Sequence, residues 1–260
     1  MGRSLGAVLV IAGATFALAW GRDKEAPDGC AVLMRMAYYL ANIPAWSVTV
    51  HTSYDVVQSD GFRIEWSERR EVTVRRPGRL RIESERNDGA LSLVLFDGRK
   101  ITILDDWAHV YAQEARQGKA DDTMIYLIQK LGMELPFAVM QPTELRSVQA
   151  VQYLGCTVTQ WKPADHIAVE TPTADFQMWI ARGNQPLPLR VVINYKDPRG
   201  WPQLRAQFFG WNLKTKPTEA LFSFKAPSGV RMIPFATLTS RNGEGKGSPP
   251  ATIADLGSWR

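Results

Sequence analysis

Runs in which every second residue is apolar limit this chain to a sheet with one buried face. Phe62, Ile64 and Trp66 alternate with Arg63, Glu65 and Ser67; Val72 and Val74 alternate with Glu71, Thr73 and Arg75; Leu80 and Ile82 alternate with Arg79, Arg81 and Glu83. Successive side chains of a strand point to opposite faces, so a period of two marks half-buried antiparallel strands. From Trp46 the same period places Val48, Val50, Thr52, Tyr54 and Val56 on one side. Further strands read at 62–76, 79–86, 91–97, 100–105 and 109–113, with Asp97-Gly98 as a tight-turn signal, and then at 151–160, 166–171, 175–182, 188–196 and 203–213. About eleven strands are too many for a flat open sheet. The prediction is an α+β fold: a strongly curved antiparallel sheet, an incomplete β-barrel, with helices covering its concave face.

Two helices are available as the cover. Asp28 caps the first, in which Cys30, Leu33, Met34, Ala37, Tyr38 and Ala41 recur at three- and four-residue spacing until Asn42-Ile43-Pro44 ends it. Asp121-Asp122-Thr123 caps the second, whose stripe is Met124, Leu127, Ile128 and Leu131, and Leu135, Phe137, Val139 and Met140 carry apolar character on to Pro142. Such a helix forms one wall of any space left above the sheet. The other wall is then expected from Val48 and Val50, from Ile64, Trp66, Val72 and Val74, from Met178 and Ile180, and from Val191 and Ile193. A last apolar piece, Ala220 to Phe224, closes the domain.

The chain ends set the compartment. Residues 1–19 read as an export signal, with Arg3 before an apolar core from Leu5 to Leu18 and Ala17-Leu18-Ala19 as the cleavage site. That core is shorter than the ~20 residues a spanning helix needs. The domain then occupies 20–234, and 235–260, with Asn242 to Pro250 rich in glycine, proline and polar residues, reads as a flexible tail. Without Arg3 the formal charge of +5 falls by one. Most of the excess lies between Arg63 and Arg86, where eight arginines face five glutamates. This stretch is either a solvated outer face with ion pairs or a patch for an anionic membrane surface. Export and the absence of a recognition motif argue against nucleic acid.

No pattern of catalytic or metal-binding residues emerges. The three histidines are His51, His109 and His166; Asp165-His166 has no serine or cysteine in a nucleophile turn to serve, and H-E-x-x-H and paired-cysteine motifs are missing. Asp105-Asp106 and Asp121-Asp122 read as turn and cap residues, and no glycine-rich phosphate cradle occurs, so no cofactor is implied. Cys30 and Cys156 either pair in an oxidising compartment or remain buried thiols.

Several segments carry a family resemblance. Phe96-Asp97-Gly98-Arg99-Lys100-Ile101-Thr102-Ile103-Leu104-Asp105, followed by His109-Val110-Tyr111-Ala112, resembles the Y-D-G-K-x-L-x-L-Y hairpin of bacterial lipoprotein-carrier (LolA/LolB-like) domains. Leu33 to Ala41, Tyr54 to Gln58, Val74 to Arg81, Leu131 to Pro136, Pro186 to Asp197 and Phe222 to Gly229 resemble, in order, a predicted periplasmic family of unknown function (domain of unknown function 2092) within that group. Asp106 stands where a proline commonly follows the hairpin's aspartate. The resemblance implies a half-barrel whose apolar concave face accepts acyl chains, and it supplies no catalytic residues. Two functions follow as expectations. One is a periplasmic, non-enzymatic carrier or sensor of a lipid, lipoprotein or other apolar ligand. The other is an envelope interaction protein with a filled core and no ligand. A hydrolase lacks convincing members for a polar triad.

Overall fold

In a computed structural model, which describes residues 27–237 except 59, 139, 141, 143 and 197–199, the alternating segments form one sheet. Helix α1 (Gly29–Ala41) leads into β1 (Ala45–Val57), β2 (Arg63–Arg75), β3 (Arg79–Arg86), β4 (Leu91–Phe96), β5 (Lys100–Asp105) and β6 (Val110–Ala115). Helix α2 (Ala120–Leu131) follows. The chain then runs through β7 (Ala150–Thr159), β8 (Lys162–Glu170), β9 (Ala174–Ala181), β10 (Pro188–Tyr195) and β11 (Gln203–Asn212) to the short β12 (Arg231–Met232). The strand order is β12-β6-β5-β4-β3-β2-β1-β11-β10-β9-β8-β7, and the sheet does not close. All neighbours are antiparallel except β12 beside β6. The twelfth strand is the one the sequence does not announce, because two residues carry no period.

Two meanders, β1–β6 and β7–β11, meet where β1 pairs with β11. Register lines up the inner face in rows across the strands. One row is Val48, Val72, Ile82, Val94, Ile103 and Ala112; another is Ala206, Val191, Met178 and Ile167, and all of these are buried. Each valine, isoleucine or methionine among them contributes about 1.5–3 kcal/mol on leaving water. The rows hold because each strand's inward-facing set stays in register with that of its neighbour.

The helices cover this face. Asp28 Oδ1 accepts from Cys30 N at 3.0 Å, which is the predicted cap of α1. The buried stripe is rotated from the expected one, however: Val32, Leu33, Met36, Ala37 and Leu40 are buried, whereas Cys30 and Tyr38 face solvent. Both stripes have helical spacing, and tertiary contact selects the more aliphatic one. In α2, Met124, Leu127, Ile128 and Leu131 are buried as expected. The helix begins at Ala120, so Asp121 and Asp122 lie in its first turn and favour the dipole rather than cap it. Gly132 closes it in the left-handed conformation, φ 63°.

Beyond β11 the chain crosses the outer face of β2 and β3. A 3-10 turn, Glu219–Phe222, buries Phe222. Arg75 and Arg79 both pair with Glu219, holding its carboxyl below the usual range, and Arg81 Nη1 donates to the Leu221 carbonyl at 3.0 Å. Ile233 is buried and Phe235 packs against the core, one residue past the predicted end of the domain. The predicted signal 1–19 and the tail beyond 237 lie outside the described residues.

Candidate functional site

The period that builds the inner face also exposes where it is interrupted. Along β2 the even residues run Ile64, Trp66, Glu68, Arg70, Val72 and Val74, so Glu68 and Arg70 project with the apolar set. Register places Arg70 beside Val50 and Glu68 beside Thr52. Arg70 is 5% exposed, and its guanidinium donates through Nη2 to Glu68 Oε1 and through Nη1 to the main-chain carbonyl of Glu134. Glu134 follows α2 in a segment whose Leu135, Phe137, Ala138 and Met140 are buried against the sheet; the Phe137 ring lies edge-on to Trp46 at 6.2 Å. Tyr195 at the end of β10 donates its hydroxyl proton to Glu134 Oε2.

Thus one buried cluster, Thr52, Glu68, Arg70, Glu134 and Tyr195, ties the segment after α2 to the middle of the sheet. Burial pushes the Glu134 carboxyl up to about 7, although the Tyr195 hydrogen bond and the Arg70 charge pull it down. Burial, then the charge of Glu134, raises the Tyr195 phenol well above its ordinary value. The cluster is incompletely satisfied: Glu134 Oε1, Arg70 Nε and Thr52 Oγ1 are buried without a partner among the described residues. Unpaired buried polar atoms cost about 1–3 kcal/mol each, so this is an expensive way to fill a permanent core.

The predicted lining residues divide in two. Val48, Val50, Val72, Val74, Met178, Ile180, Val191 and Ile193 are buried on the inner face, and Met124, Leu127, Ile128 and Leu131 close down on it from α2. Ile64 is 39% exposed and Trp66 only partly buried, because the cover stops short of this end of β2; there Arg86 lies over the Trp66 ring at 5.4 Å. Around this set the described side chains pack closely, Val50, Val72, Val74, Met178 and Val191 being fully buried. Among the described residues two open grooves lie elsewhere. One, of about 590 Å³, is lined by Arg35, Tyr38, Tyr39 and Asn42 of the α1 region and by Gly183 and Asn184. The other, of about 460 Å³, is lined by residues of β7–β10, among them Gln152, Gln177 and Asn194.

Other sequence candidates resolve individually. Asp165 is buried and accepts from Tyr153 at 3.0 Å, with Arg35 and Arg182 close by, whereas His166 stacks on Trp179 at 4.2 Å and reaches Gln177. Adjacent strand residues point to opposite faces, so Asp165 and His166 form no dyad. Each of the eight arginines from Arg63 to Arg86 has a carboxylate within ion-pair distance, so the run presents compensated charge rather than a bare cationic patch. Arg70 also departs from the solvated outer face expected for that run. Cys30 and Cys156 are unbonded and exposed, neither paired nor buried. Labelling the denatured, unreduced protein is expected to find two reactive thiols per chain; one or none would contradict this arrangement. Among the described residues no three histidine, cysteine or acidic side chains group as a metal would need, and no helix is long and apolar enough to cross a membrane.

No curated protein matches the chain. Similar solved structures include an uncharacterized conserved protein from Thermus thermophilus, 12% identical, covering 79% of this chain and 98% of that one with a TM-score of 0.47. Mycobacterium tuberculosis lipoprotein LppX is 17% identical, with 73% and 99% covered and a TM-score of 0.45. In the Pseudomonas aeruginosa MucA/MucB complex the similar chain is 22% identical, with 77% of this chain and 62% of that chain covered and a TM-score of 0.44. The sequence itself carries the assignment: residues 29–236 match the family described as "Predicted periplasmic protein (DUF2092)", and the chain belongs to that family.

Proposed function

We propose that this is a periplasmic, non-enzymatic binding protein with a gated apolar site. The ligand, an acyl chain of a lipid or lipoprotein or another apolar molecule, replaces the α2–Met140 cover on the inner face. The observation that supports this reading is the Arg70–Glu134–Tyr195 cluster. This cover seats the buried Glu134 carboxyl, one oxygen of which has no partner among the described residues, over a sheet face where Arg70 Nε and Thr52 Oγ1 are likewise unpartnered, an arrangement that favours a cover able to leave. Withdrawal of the segment lets those groups regain water and opens the apolar rows beneath. Each methylene of an inserted chain then gains about 0.8 kcal/mol, enough for a modest chain length to offset the lost cover.

A second reading rests on the closed packing itself. With Val48, Val50, Val72, Val74, Met178 and Val191 at most 1% exposed, the same fold serves as an envelope interaction protein whose core is filled for good. One experiment separates the two. Protein purified from its native envelope is extracted for lipid and then titrated with a fluorescent fatty acid. Saturable binding, or co-purified lipid, is expected for the gated site; neither, across the pH range in which Glu134 titrates, leaves the filled-core reading in place.

A further inference from the structure

The two margins of the sheet are finished differently. At one, β12 covers part of β6 and is followed within two residues by Pro234. At the other, the ten-residue β7 pairs, among the described residues, with β8 alone. An edge strand offers a row of unpaired N–H and C=O groups, which soluble proteins blunt with charge, proline or a very short edge. From Ala150 through Trp161 no residue is charged and none is proline.

Two devices guard only the first half of β7. A bulge shifts the register between Tyr153 and Gly155, and the start of α1 abuts Val151–Tyr153 so closely that a methyl on Gly29 would meet Tyr153 N at 3.1 Å. Gly155, at φ 121°, closes the bulge, and Cys156–Thr159 lies beyond both. The adjoining hairpin tip is costly to the monomer: Gln160 and Trp161 adopt φ 51° and 61°, the left-handed pair that a two-residue loop requires and that asparagine-glycine supplies with less strain. Trp161 is 97% exposed and Val158 68%, so neither side chain repays the fold with buried surface. Backbone strain beneath an exposed tryptophan points to use between molecules.

We propose that Cys156–Val158 pairs antiparallel with the same stretch of a second copy of this chain, forming a two-fold dimer about Thr157. In that register Thr157 faces Thr157 and Cys156 faces Val158. Self-pairing brings each residue opposite one from the same stretch, so any charge near the two-fold axis would tend to meet its like. The uncharged composition is what such an edge requires, and it offers no complement to a charged foreign peptide. The inference is independent of the gated site.

Sedimentation equilibrium of the purified exported protein across a concentration series is expected to show monomer and dimer. Thr157→Lys and Thr157→Glu, each placing like charges face to face, are expected to weaken the dimer about 10-fold or more. An equimolar mixture of the two proteins should recover it, because lysine then faces glutamate. As a second measurement, Thr157→Cys in a Cys30→Ser, Cys156→Ser background should give a disulfide-linked dimer on mild oxidation with copper-phenanthroline. A wild type that is monomeric throughout, a dimer that neither charge weakens, a mixture that fails to recover, or a Thr157→Cys protein that does not cross-link overturns the proposal.

Discussion

Replacing Arg70 by alanine is expected to destabilise the protein by about 3–5 kcal/mol, the range found when one partner of a buried ion pair is removed. The guanidinium is within hydrogen-bond reach of Glu68 and of the Glu134 carbonyl, and its side chain is 6% exposed. Without it, Glu68 keeps a charge that is 11% exposed and unpaired, and the Glu134 carbonyl loses its donor in a region closed to water. The cost should fall partly on the cover and partly on the whole fold, since Arg70 belongs to the central strand β2 while Glu134 belongs to the segment after α2. A double-mutant cycle with Glu68→Gln separates the two contributions: removing both charges should cost less than the sum of the single changes. Denaturant unfolding reads the effect. A loss of less than about 1 kcal/mol for Arg70→Ala, the size of an exposed pair, would show that water reaches the cluster and that it is no lock.

That the fold can be read from sequence while the lock cannot has a physical cause. Strand β2 shows it best. Its even residues announce the inner face at Ile64, Trp66, Val72 and Val74, and the structure keeps that phase throughout. Read the same way, Glu68 and Arg70 fall on the inner face as well, so the signal for the cluster is present as a break in the apolar phase. Counted by type rather than by phase, they join the neighbouring arginines and glutamates of an outer face. Tyr195 continues the phase of Val191 and Ile193 and so falls on the inner face too, but Glu134 has no such signal: a lone glutamate after a helix acquires meaning only when α2 folds over the sheet. The stripe of α1 fails for a related reason, because Cys30, Met34 and Tyr38 satisfy the same helical period as Val32, Met36 and Leu40. Two faces with equal spacing are separated only by what packs against them. Strand β12 and the free edge of β7 likewise depend on neighbours along the sheet, which no period within a strand encodes.

Glu134→Gln is expected to abolish a pH dependence of stability that the wild type shows between about pH 4.5 and about pH 7. In the folded protein burial holds the Glu134 carboxyl up at about 7, against an ordinary value of 4.5, and the groups facing it are Tyr195, Arg70 and Glu68. Below about pH 4.5 the carboxyl is protonated whether the cover is docked or released, so its contribution is fully present. As pH rises toward 7 the released form ionises while the docked form keeps its proton, and docking is lost progressively; above about pH 7 both forms are ionised and the loss levels off. The span from 4.5 to about 7 corresponds to about 3 kcal/mol. Asp88 and Glu219, whose carboxyls are held below their usual range by Arg86 and by Arg79 and Arg75, act in the opposite sense at lower pH. The measurement is therefore the difference between wild type and Glu134→Gln at each pH. The glutamine carbonyl still accepts from Tyr195, so the variant should match the protonated wild type near pH 4 and exceed it above pH 7. If the gated reading holds, fatty-acid binding by the wild type strengthens across the same window and that of Glu134→Gln does not. A stability difference that stays constant with pH would place the Glu134 carboxyl in contact with water in the folded protein, and the cover would then have no titratable latch.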